Sequence, residues 1–238
     1  PDRKNPFLDV TFDGMHIADG ELVSANPQII MQLSDENKFL ELNDTSMFAI
    51  YLKYPGQNTE QRIYFDQMEW IPAQLPKNSC KVIFNPQFSQ DGFYMLRVQA
   101  KDISDNLSGK NDFKITFKIV LESTITEIFN YPNPFSTSTR FVFTLTGSET
   151  PDEMMIQIMT VTGKIVRTLT LDDMGPIHIG KNISSFAWDG TDMFGDRLAN
   201  GVYFYKVVVR LNGQNIKKDT AGQGSYFKHG FGKMYLMR

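Results

Sequence analysis

Hydrophobic and polar residues alternate with a period of two along most of this chain, and the period of an α-helix is nearly absent. Turn-forming residues separate the alternating runs at intervals of about 8–15 positions, a spacing typical of β-sandwiches. In the first half we predict strands at Gln28–Leu33, Ser46–Leu52, Arg62–Phe65, Lys81–Phe84, Phe93–Ala100 and Phe113–Val120. In the second half we predict strands at Ile125–Asn130, Thr139–Leu145, Met154–Val161, Lys164–Thr170, Ile183–Ala187, Val202–Arg210 and Gly232–Met237.

Two sandwiches account for these strands better than one. Each half of the chain carries a set of strands large enough for a complete immunoglobulin-like fold. We therefore predict an all-β chain of two tandem immunoglobulin-like β-sandwich domains, residues 5–123 and residues 124–238. The boundary is expected around Glu122–Thr124, where the linker is short enough to restrict the angle between the domains.

The two halves share one motif, 91-DGFYMLRVQAK-101 in the first and 200-NGVYFYKVVVR-210 in the second. Asp-Gly and Asn-Gly favour a tight turn, after which the period of two places Tyr94 and Tyr203 on the inward face. There each ring can pack and each hydroxyl can reach a backbone carbonyl, which resembles the tyrosine corner of immunoglobulin-like folds. The alternative is that these tyrosines stack on a sugar or a peptide.

Composition and charge narrow the function classes. The 19 Phe and 9 Tyr favour strands. A net charge of −3 offers no basic surface for nucleic acid, so we expect no nucleic-acid partner. No apolar run approaches the ~20 residues of a transmembrane segment. The chain begins PDRKNP, without Met, and we expect it to be a piece of a longer polypeptide.

No catalytic residue is predicted. Cys80 is the single cysteine, so an internal disulfide is excluded, and it shares an apolar strand face with Val82 and Phe84. A small buried hydrophobic residue is therefore a better interpretation than a nucleophile. The histidines show no recognisable spacing to Cys80, and no HExxH, GxSxG or P-loop pattern occurs.

Acidic clusters are candidate calcium ligands, because oxygen-rich loops can bind this ion. The candidates are Asp35, Asp44, Asp102 and Asp105 in the first half, and Asp189, Asp192 and Asp196 in 189-DGTDMFGD-196. None of these loops has the register of an EF-hand, and Asp, Asn and Gly are also the ordinary residues of turns. Apart from calcium, no cofactor is expected.

Exposed aromatic residues are candidate ligand contacts. The best candidates are Trp70, Phe194 in the WDGTDMFGD loop, and Tyr226 and Phe227 in a late loop. Trp188 is instead expected in the core, since WDG closes a strand. The segment 131-YPNPF-135 lacks two backbone donors, which predicts an edge or linker position.

The second half also resembles a known family. The run YPNPFSTSTRFVFTL, then IQIMTVTGKIVRTL, then FAWDGTDMFGDRLANGVYFYKVVV is similar to the FlgD-type immunoglobulin-like domain. The resemblance covers residues 125–209. Such domains are common at the C-termini of surface proteins in bacteria with a type IX secretion system. The same residues overlap the pattern of type IX sorting domains, which begin PNPF and contain a TG(K/R)-V turn and a GVY strand.

The remaining segments resemble the C-terminal tail of gingipain-type (family C25) cysteine peptidases, the PorU-like sortases of type IX secretion. They are FDGMHIADGELVSANPQIIMQLSDEN, LNDTSMF, DGFYMLRVQAKD and FKHGFGKMYLMR. In that family a catalytic Cys–His domain precedes such a tail. No gingipain nucleophile or base motif occurs here, so no catalytic residue is carried over.

The resemblance implies a non-catalytic C-terminal accessory or docking region of a secreted or surface-attached gingipain-like peptidase. Its partners would be type IX secretion or outer-membrane attachment components and a catalytic domain upstream in the same chain. One alternative is a carbohydrate- or peptide-binding module of an adhesin. Another is a sorting signal that is removed after secretion.

Overall fold

The computed structural model describes residues 4–219, 227–228 and 230–238. The chain divides into two compact units, Pro1–Leu121 and Glu122–Arg238. Each unit is built from two β-sheets around its own hydrophobic core. The prediction of an all-β chain of immunoglobulin-like β-sandwiches is confirmed.

The first unit consists of short, mostly antiparallel strands. In chain order they are β1 (Phe7–Phe12), β2 (Glu21–Leu22), β3 (Ile29–Ser34), β4 (Phe48–Lys53), β5 (Gln61–Ile63), β6 (Met68–Ile71), β7 (Ser79–Phe84), β8 (Gly92–Ala100) and β9 (Phe113–Ile119). One sheet has the order β1-β3-β7-β6 and the other has the order β2-β9-β8-β4-β5. Only the pairing of β2 with β9 is parallel among these strands. Turns of 3₁₀ helix at Thr45–Met47 and Phe65–Gln67 precede β4 and β6.

Alternation along β8 separates the core of the first unit from its surface. Tyr94, Leu96 and Val98 are buried between the sheets. Arg97 points outward, with its guanidinium 3.9 Å from the centre of the Tyr51 ring.

Two carboxylates hold the outward side chain of Arg97. Its Nε donates to Glu60 at 2.6 Å and its Nη1 donates to Asp112 at 2.9 Å. Because the group is largely covered, these charged partners offset the cost of burying the guanidinium. The cluster therefore connects the middle of β8 to the residues that precede β5 and β9.

The second unit repeats the two-sheet plan with longer central strands. They are β10 (Thr124–Tyr131), β11 (Arg140–Leu145), β12 (Glu153–Thr160), β13 (Ile165–Leu169), β14 (Gly180–Ile183), β15 (Gly201–Leu211), β16 (Gln214–Asn215), β17 (Lys217–Asp219), β18 (Phe227–Lys228) and β19 (Phe231–Leu236). One sheet has the order β14-β11-β10-β17, and the other has the order β13-β12-β15-β19-β18 with β16 paired to β15. A single helical turn, α1 (Leu171–Met174), follows β13.

Aromatic side chains fill the core of the second unit. Trp188 is 0% exposed and lies against Phe135 and Tyr203, with ring centres 5.5 and 6.1 Å apart. Tyr205 meets Phe141 edge to face at 5.1 Å. The prediction that Trp188 belongs to the core is confirmed.

Both repeated motifs form tyrosine corners, as the sequence predicts. The Tyr94 hydroxyl donates to the carbonyl of Gln90 at 2.9 Å, and the Tyr203 hydroxyl donates to the carbonyl of Ala199 at 2.7 Å. Burial raises the pKa of both phenols, so each hydroxyl keeps its proton as a donor. The motif is therefore part of the scaffold in both units.

We expect Tyr94→Phe and Tyr203→Phe each to lower the free energy of unfolding by about 1 kcal/mol, because each leaves one carbonyl without its donor. Urea unfolding followed by circular dichroism measures the change. Tyr64→Phe is the control, since the Tyr64 side chain is exposed. Equal stability of the three variants would show that the hydroxyl contacts contribute nothing.

The prediction is wrong for the strand at Ile183–Ala187, because β14 ends where the predicted strand begins. Asn182 is buried and Ile183 is exposed, whereas an alternating strand would place the apolar residue inward and the polar residue outward. The Asn182 amide accepts from the backbone nitrogen of His178 at 3.0 Å and donates to the carbonyls of His178 and Gly180. These local hydrogen bonds allow a polar residue at an inward position.

Several strands have no counterpart among those predicted. β1 alternates with a period of two, with Val10 and Phe12 inward, and pairs with β3 along its whole length. The edge strands β2 and β6 and the short strands β16, β17 and β18 have at most four residues. Runs this short carry too little periodicity to be distinguished from loops.

Candidate functional site

Cys80 lies in the core of the first unit and is not placed for catalysis. Its side chain is buried on β7, and burial raises the pKa of the thiol to about 11. Among the described residues no hydrogen bond joins it to a histidine, and His16 is bonded to Asp9 instead. The interpretation of Cys80 as a small buried hydrophobic residue is confirmed.

We expect Cys80 in the folded chain to react with a thiol reagent at pH 8 at least about 100-fold more slowly than in urea, because the buried thiol is neutral and reacts only after opening. Mass spectrometry of the labelled protein measures the rates. Rapid labelling without loss of structure would contradict this burial.

The acidic candidates of the first unit act within turns. Asp35 accepts from the backbone nitrogen of Asn37 at 2.9 Å. Asp44 accepts from the backbone nitrogen of Ser46 at 2.8 Å, which caps a 3₁₀ turn and lowers the pKa of Asp44. Each carboxylate thus stabilises its own loop.

The remaining two acidic candidates of this unit lie in the connection from β8 to β9. Asp102 is buried and binds both the backbone nitrogen and the side-chain amide of Asn106, at 2.8 and 2.7 Å. Asp105 forms an ion pair with Lys101 at 2.5 Å. Both contacts are ordinary for a long turn.

Asp189 and Asp192 organise the segment of residues 188–198, named here the WDG loop. The third acidic candidate of this unit, Asp196, is exposed in the same loop. Asp189 accepts from the hydroxyl and backbone nitrogen of Thr191 at 2.6 and 3.1 Å, and the hydroxyl bond lowers the pKa of Asp189. Asp192 accepts from the backbone nitrogens of Phe194 and Asp196 at 2.8 and 3.0 Å. The described residues contain no group of three His, Cys, Asp or Glu placed to hold a metal ion. Calcium binding by the acidic candidates stays a prediction.

The core and the edge of a sheet fix the base of the WDG loop. The Trp188 indole nitrogen donates to the carbonyl of Thr191 at 2.8 Å. The backbone nitrogen of Met193 donates to Val166 of β13 at 2.9 Å, and Arg167 donates to the carbonyl of Asp192 at 3.1 Å. These hydrogen bonds anchor the loop along β13.

Arg238 closes the other side of the WDG loop. Its Nη2 donates to the carbonyls of Asp189 and Gly190 at 2.5 and 3.1 Å, and its Nη1 donates to Leu198 at 3.1 Å. A Cβ on Gly190 would lie 2.8 Å from the guanidinium, and Gly190 has a positive φ of 74°. Glycine is thus required where the arginine meets the loop.

This fixed loop presents two apolar side chains, Met193 and Phe194, to solvent; they are named here the WDG tip. Phe194 is 83% exposed and Met193 is 55% exposed. The neighbouring Ile165, at the start of β13, is also exposed. Contiguous exposed apolar side chains mark protein interaction sites, so the WDG tip with Ile165 beside it is a candidate.

Trp70 differs from Phe194. Trp70 is half-buried on β6 and packs edge to face against Phe48 and Phe65, with centre distances of 6.0 and 6.2 Å. Its main role is therefore packing. Tyr226 and the side chain of Phe227 lie outside the described residues.

The YPNPF segment is attached to β19. The Asn133 side chain donates to the carbonyl of Lys233 at 3.0 Å and accepts from the backbone nitrogen of Tyr235 at 2.9 Å. Phe135 is buried, and its backbone nitrogen donates to the carbonyl of Tyr235 at 3.0 Å. The segment begins with Tyr131, the last residue of β10, and continues beside β19, where it supports the core next to Trp188.

A second group of exposed apolar side chains, which the sequence pattern did not indicate, lies at one end of the first unit. Three connections meet there: residues 35–47, 72–78 and 101–112. Their bases are joined because Ser34 pairs with Ser79 and the backbone nitrogen of Lys101 donates to Met47 at 3.0 Å. Their exposed apolar side chains are Phe39, Leu40, Leu75, Ile103 and Leu107.

Phe39 lies in the connection of residues 35–47 and is 90% exposed. Asn37 accepts from the backbone nitrogens of Phe39 and Leu40 at 2.9 and 3.0 Å. The buried Asn78 side chain donates to the carbonyls of Asn37 and Leu40, both at 2.7 Å, and accepts from the backbone nitrogen of Leu42 at 2.9 Å. The sequence signal was an FL pair inside the polar run DENKFLEL.

Comparisons with known proteins find structural similarity only. No family model and no curated protein matches the chain. One similar structure is dimeric latent PorU from Porphyromonas gingivalis, with 15% identity and a TM-score of 0.37 over 98% of this chain and 20% of that chain. The fibronectin(III)-like modules of CbhA from Clostridium thermocellum give 9% identity and a TM-score of 0.27, over 89% of this chain and 94% of that chain.

A third similar structure is the SGBP-B protein of the Bacteroides ovatus mixed-linkage glucan utilization locus, in complex with a heptasaccharide. It gives 13% identity and a TM-score of 0.30, over 94% of this chain and 45% of that chain. This chain thus spans a fifth of the PorU chain and less than half of the SGBP-B chain. At these TM-scores the similarities identify no function. Among the described residues no helix is long and apolar enough to cross a membrane.

Proposed function

We propose that this chain is a non-catalytic accessory region of a larger cell-surface protein and docks that protein to its secretion or attachment machinery. The observation that carries the proposal is the WDG tip, where Phe194 and Met193 project from a loop held by Trp188, Arg167 and Arg238. The resemblance of this segment to FlgD-type domains supports type IX components as the partner. The resemblance of other segments to the C-terminal tail of gingipain-type peptidases supports such a peptidase as the larger protein.

The hydrogen bonds that anchor the WDG loop make its tip suitable for binding. A loop that already has its bound conformation loses little conformational entropy on association. Large apolar side chains at the centre of an interface dominate the binding energy. Phe194 combines both properties, whereas the half-buried Trp70 offers only part of its ring.

A test of docking uses the full-length protein that carries this chain, expressed in a host with a type IX secretion system. We expect Phe194→Ser to lower the surface-attached amount about 10-fold or more, because truncation of a central aromatic contact costs about 2 kcal/mol or more. Tyr64→Ser is the matched control, since Tyr64 is another exposed aromatic residue on the chain. Cell fractionation with an immunoassay of intact cells measures attachment.

Two results would overturn the docking proposal. One is wild-type attachment of the Phe194→Ser protein at an equal melting temperature. The other is cleavage of the chain from the protein before attachment, with the chain lost from the surface, which would identify a removable sorting signal instead. A retained chain with lower attachment in the variant agrees with docking.

The non-catalytic part of the proposal has its own test. We expect the purified chain to release no product from a fluorogenic peptide library, because the Cys80 thiol is buried and neutral. Cleavage that disappears in Cys80→Ala would place a peptidase within the chain and contradict this expectation.

A further inference from the structure

A cleft at the opposite end of the first unit, away from Phe39, has the chemistry of a small binding site. It encloses about 290 Å³ between the segment 85–91, which connects β7 to β8, and the side chains of Tyr54 and Gln67. This volume is near the lower limit for ligand pockets, which measure about 300–1,000 Å³. It suits a ligand of one or two rings.

Amide side chains dominate the rim of this cleft. Gln67, Asn85, Gln87 and Gln90 line it together with the hydroxyl of Ser89, and all five residues are exposed. Within the described part of the chain, none of these side chains has a hydrogen-bond partner in the protein. Their donors and acceptors are therefore available to a ligand.

Buried aromatic rings hold the floor of the cleft in place. Phe88 and Tyr94 lie 4.4 Å apart between ring centres, and Tyr54 meets Tyr94 edge to face at 5.6 Å. The backbone nitrogen of Phe88 donates to the carbonyl of Ala25 at 2.8 Å, and the Tyr94 hydroxyl holds the carbonyl of Gln90. The amides thus project from a segment fixed at two points.

The groups that line the cleft favour an uncharged ligand with many hydroxyl groups. None of the lining residues is Asp, Glu, Lys, Arg or His, and the carboxylate of Asp91, in the same segment, accepts from the backbone nitrogen of Leu121 at 2.7 Å, so no charged side chain lines the cleft. Each amide offers both a donor and an acceptor, and a sugar hydroxyl does the same. The half-buried ring of Tyr54 adds an apolar surface for the C–H groups of a sugar.

A peptide fits this cleft less well than a sugar. Extended peptides usually bind by pairing with the open edge of a sheet or by placing side chains in apolar pockets. The lining residues include only Phe84 and Tyr94 from strands, and β7 and β8 both lie inside their sheets. The cleft therefore offers no strand edge to a peptide.

We propose that this amide cleft binds a neutral saccharide, one or two sugar residues at a time. The site is separate from the WDG tip, which lies in the second unit. Saccharide binding thus extends the docking function rather than depending on it. It would give a surface protein a second contact, to glycan, through its first unit.

The test is an NMR titration of the ¹⁵N-labelled chain with D-galactose, D-mannose, N-acetylglucosamine and cellobiose, each up to about 50 mM to detect millimolar Kd values. We expect at least one sugar to shift the side-chain amide signals of the cleft and the backbone signals of residues 85–91. Gln67→Leu and Gln87→Leu should each weaken that binding about five-fold or more. Gln28→Leu is the matched control, an exposed glutamine of the same unit outside the cleft.

The alternative outcomes are distinct. The proposal is overturned if no sugar shifts the cleft signals, if Gln28→Leu weakens binding as much as the cleft variants, or if acetyl-trialanine amide binds as tightly as the best sugar. The Phe194→Ser chain should bind the sugar like the wild type. Failure of sugar binding would therefore leave the docking proposal untouched, and failure of docking would leave this one untouched.

Discussion

Replacing Trp188 by alanine is expected to lower the free energy of unfolding of the second unit by about 3–5 kcal/mol. The indole is fully buried between Phe135 and Tyr203, so its removal leaves a large cavity among packed rings. The loss also removes the donor of the carbonyl of Thr191. Since domains are stable by about 5–15 kcal/mol in total, this unit would be unfolded or close to it.

Circular dichroism and calorimetry with increasing urea measure this loss, and Trp70→Ala is the matched control. Trp70 is half-buried at the edge of the first unit, so its truncation should cost less and should affect the first unit alone. A Trp188→Ala chain whose second-unit transition is unchanged would contradict the packing described here. Trp188→Phe should keep most of the stability but lose the hydrogen bond to Thr191, which weakens the base of the WDG loop.

The scaffold could be predicted where local chemistry and periodicity agree. The Asp-Gly and Asn-Gly pairs set the turn, and the period of two placed Tyr94 and Tyr203 inward, where both hydroxyls reach a carbonyl four residues earlier in the chain. The burial of Cys80 could be predicted by the same reasoning, because Val82 and Phe84, its apolar neighbours on β7, also point inward. These features depend on a few adjacent residues.

The candidate binding surfaces depend on residues far apart in the chain, and so the sequence showed only part of them. Phe194 was identified as an exposed aromatic residue of the glycine-punctuated WDGTDMFGD loop, but the guanidinium that closes this loop comes from Arg238. Phe39 was missed because the residue that fixes its loop, Asn78, lies in another connection. The amide cleft likewise joins Gln67 to residues 85–91, and its polar sequence resembles any exposed loop.

The second large effect is expected for Asn78→Ala, which should lower the free energy of unfolding of the first unit by about 3 kcal/mol. The amide makes three hydrogen bonds to the connection that carries Phe39, and each contributes about 1 kcal/mol. The alanine leaves the backbone nitrogen of Leu42 and the carbonyls of Asn37 and Leu40 without this partner. Leu42 is itself fully buried, so its nitrogen cannot turn to water without moving the core.

Hydrogen exchange distinguishes this local mechanism from a general loss of stability. In Asn78→Ala the amide hydrogens of β8 should exchange faster than in the wild type only as far as the loss of global stability explains. The amide hydrogens of residues 37–42 should show a larger acceleration than that. Asn58→Ala is the matched control, an exposed asparagine of the same unit for which neither effect is expected. If residues 37–42 keep their protection in Asn78→Ala, the loop is ordered by other contacts. The rigid presentation of Phe39 would then not depend on the buried amide.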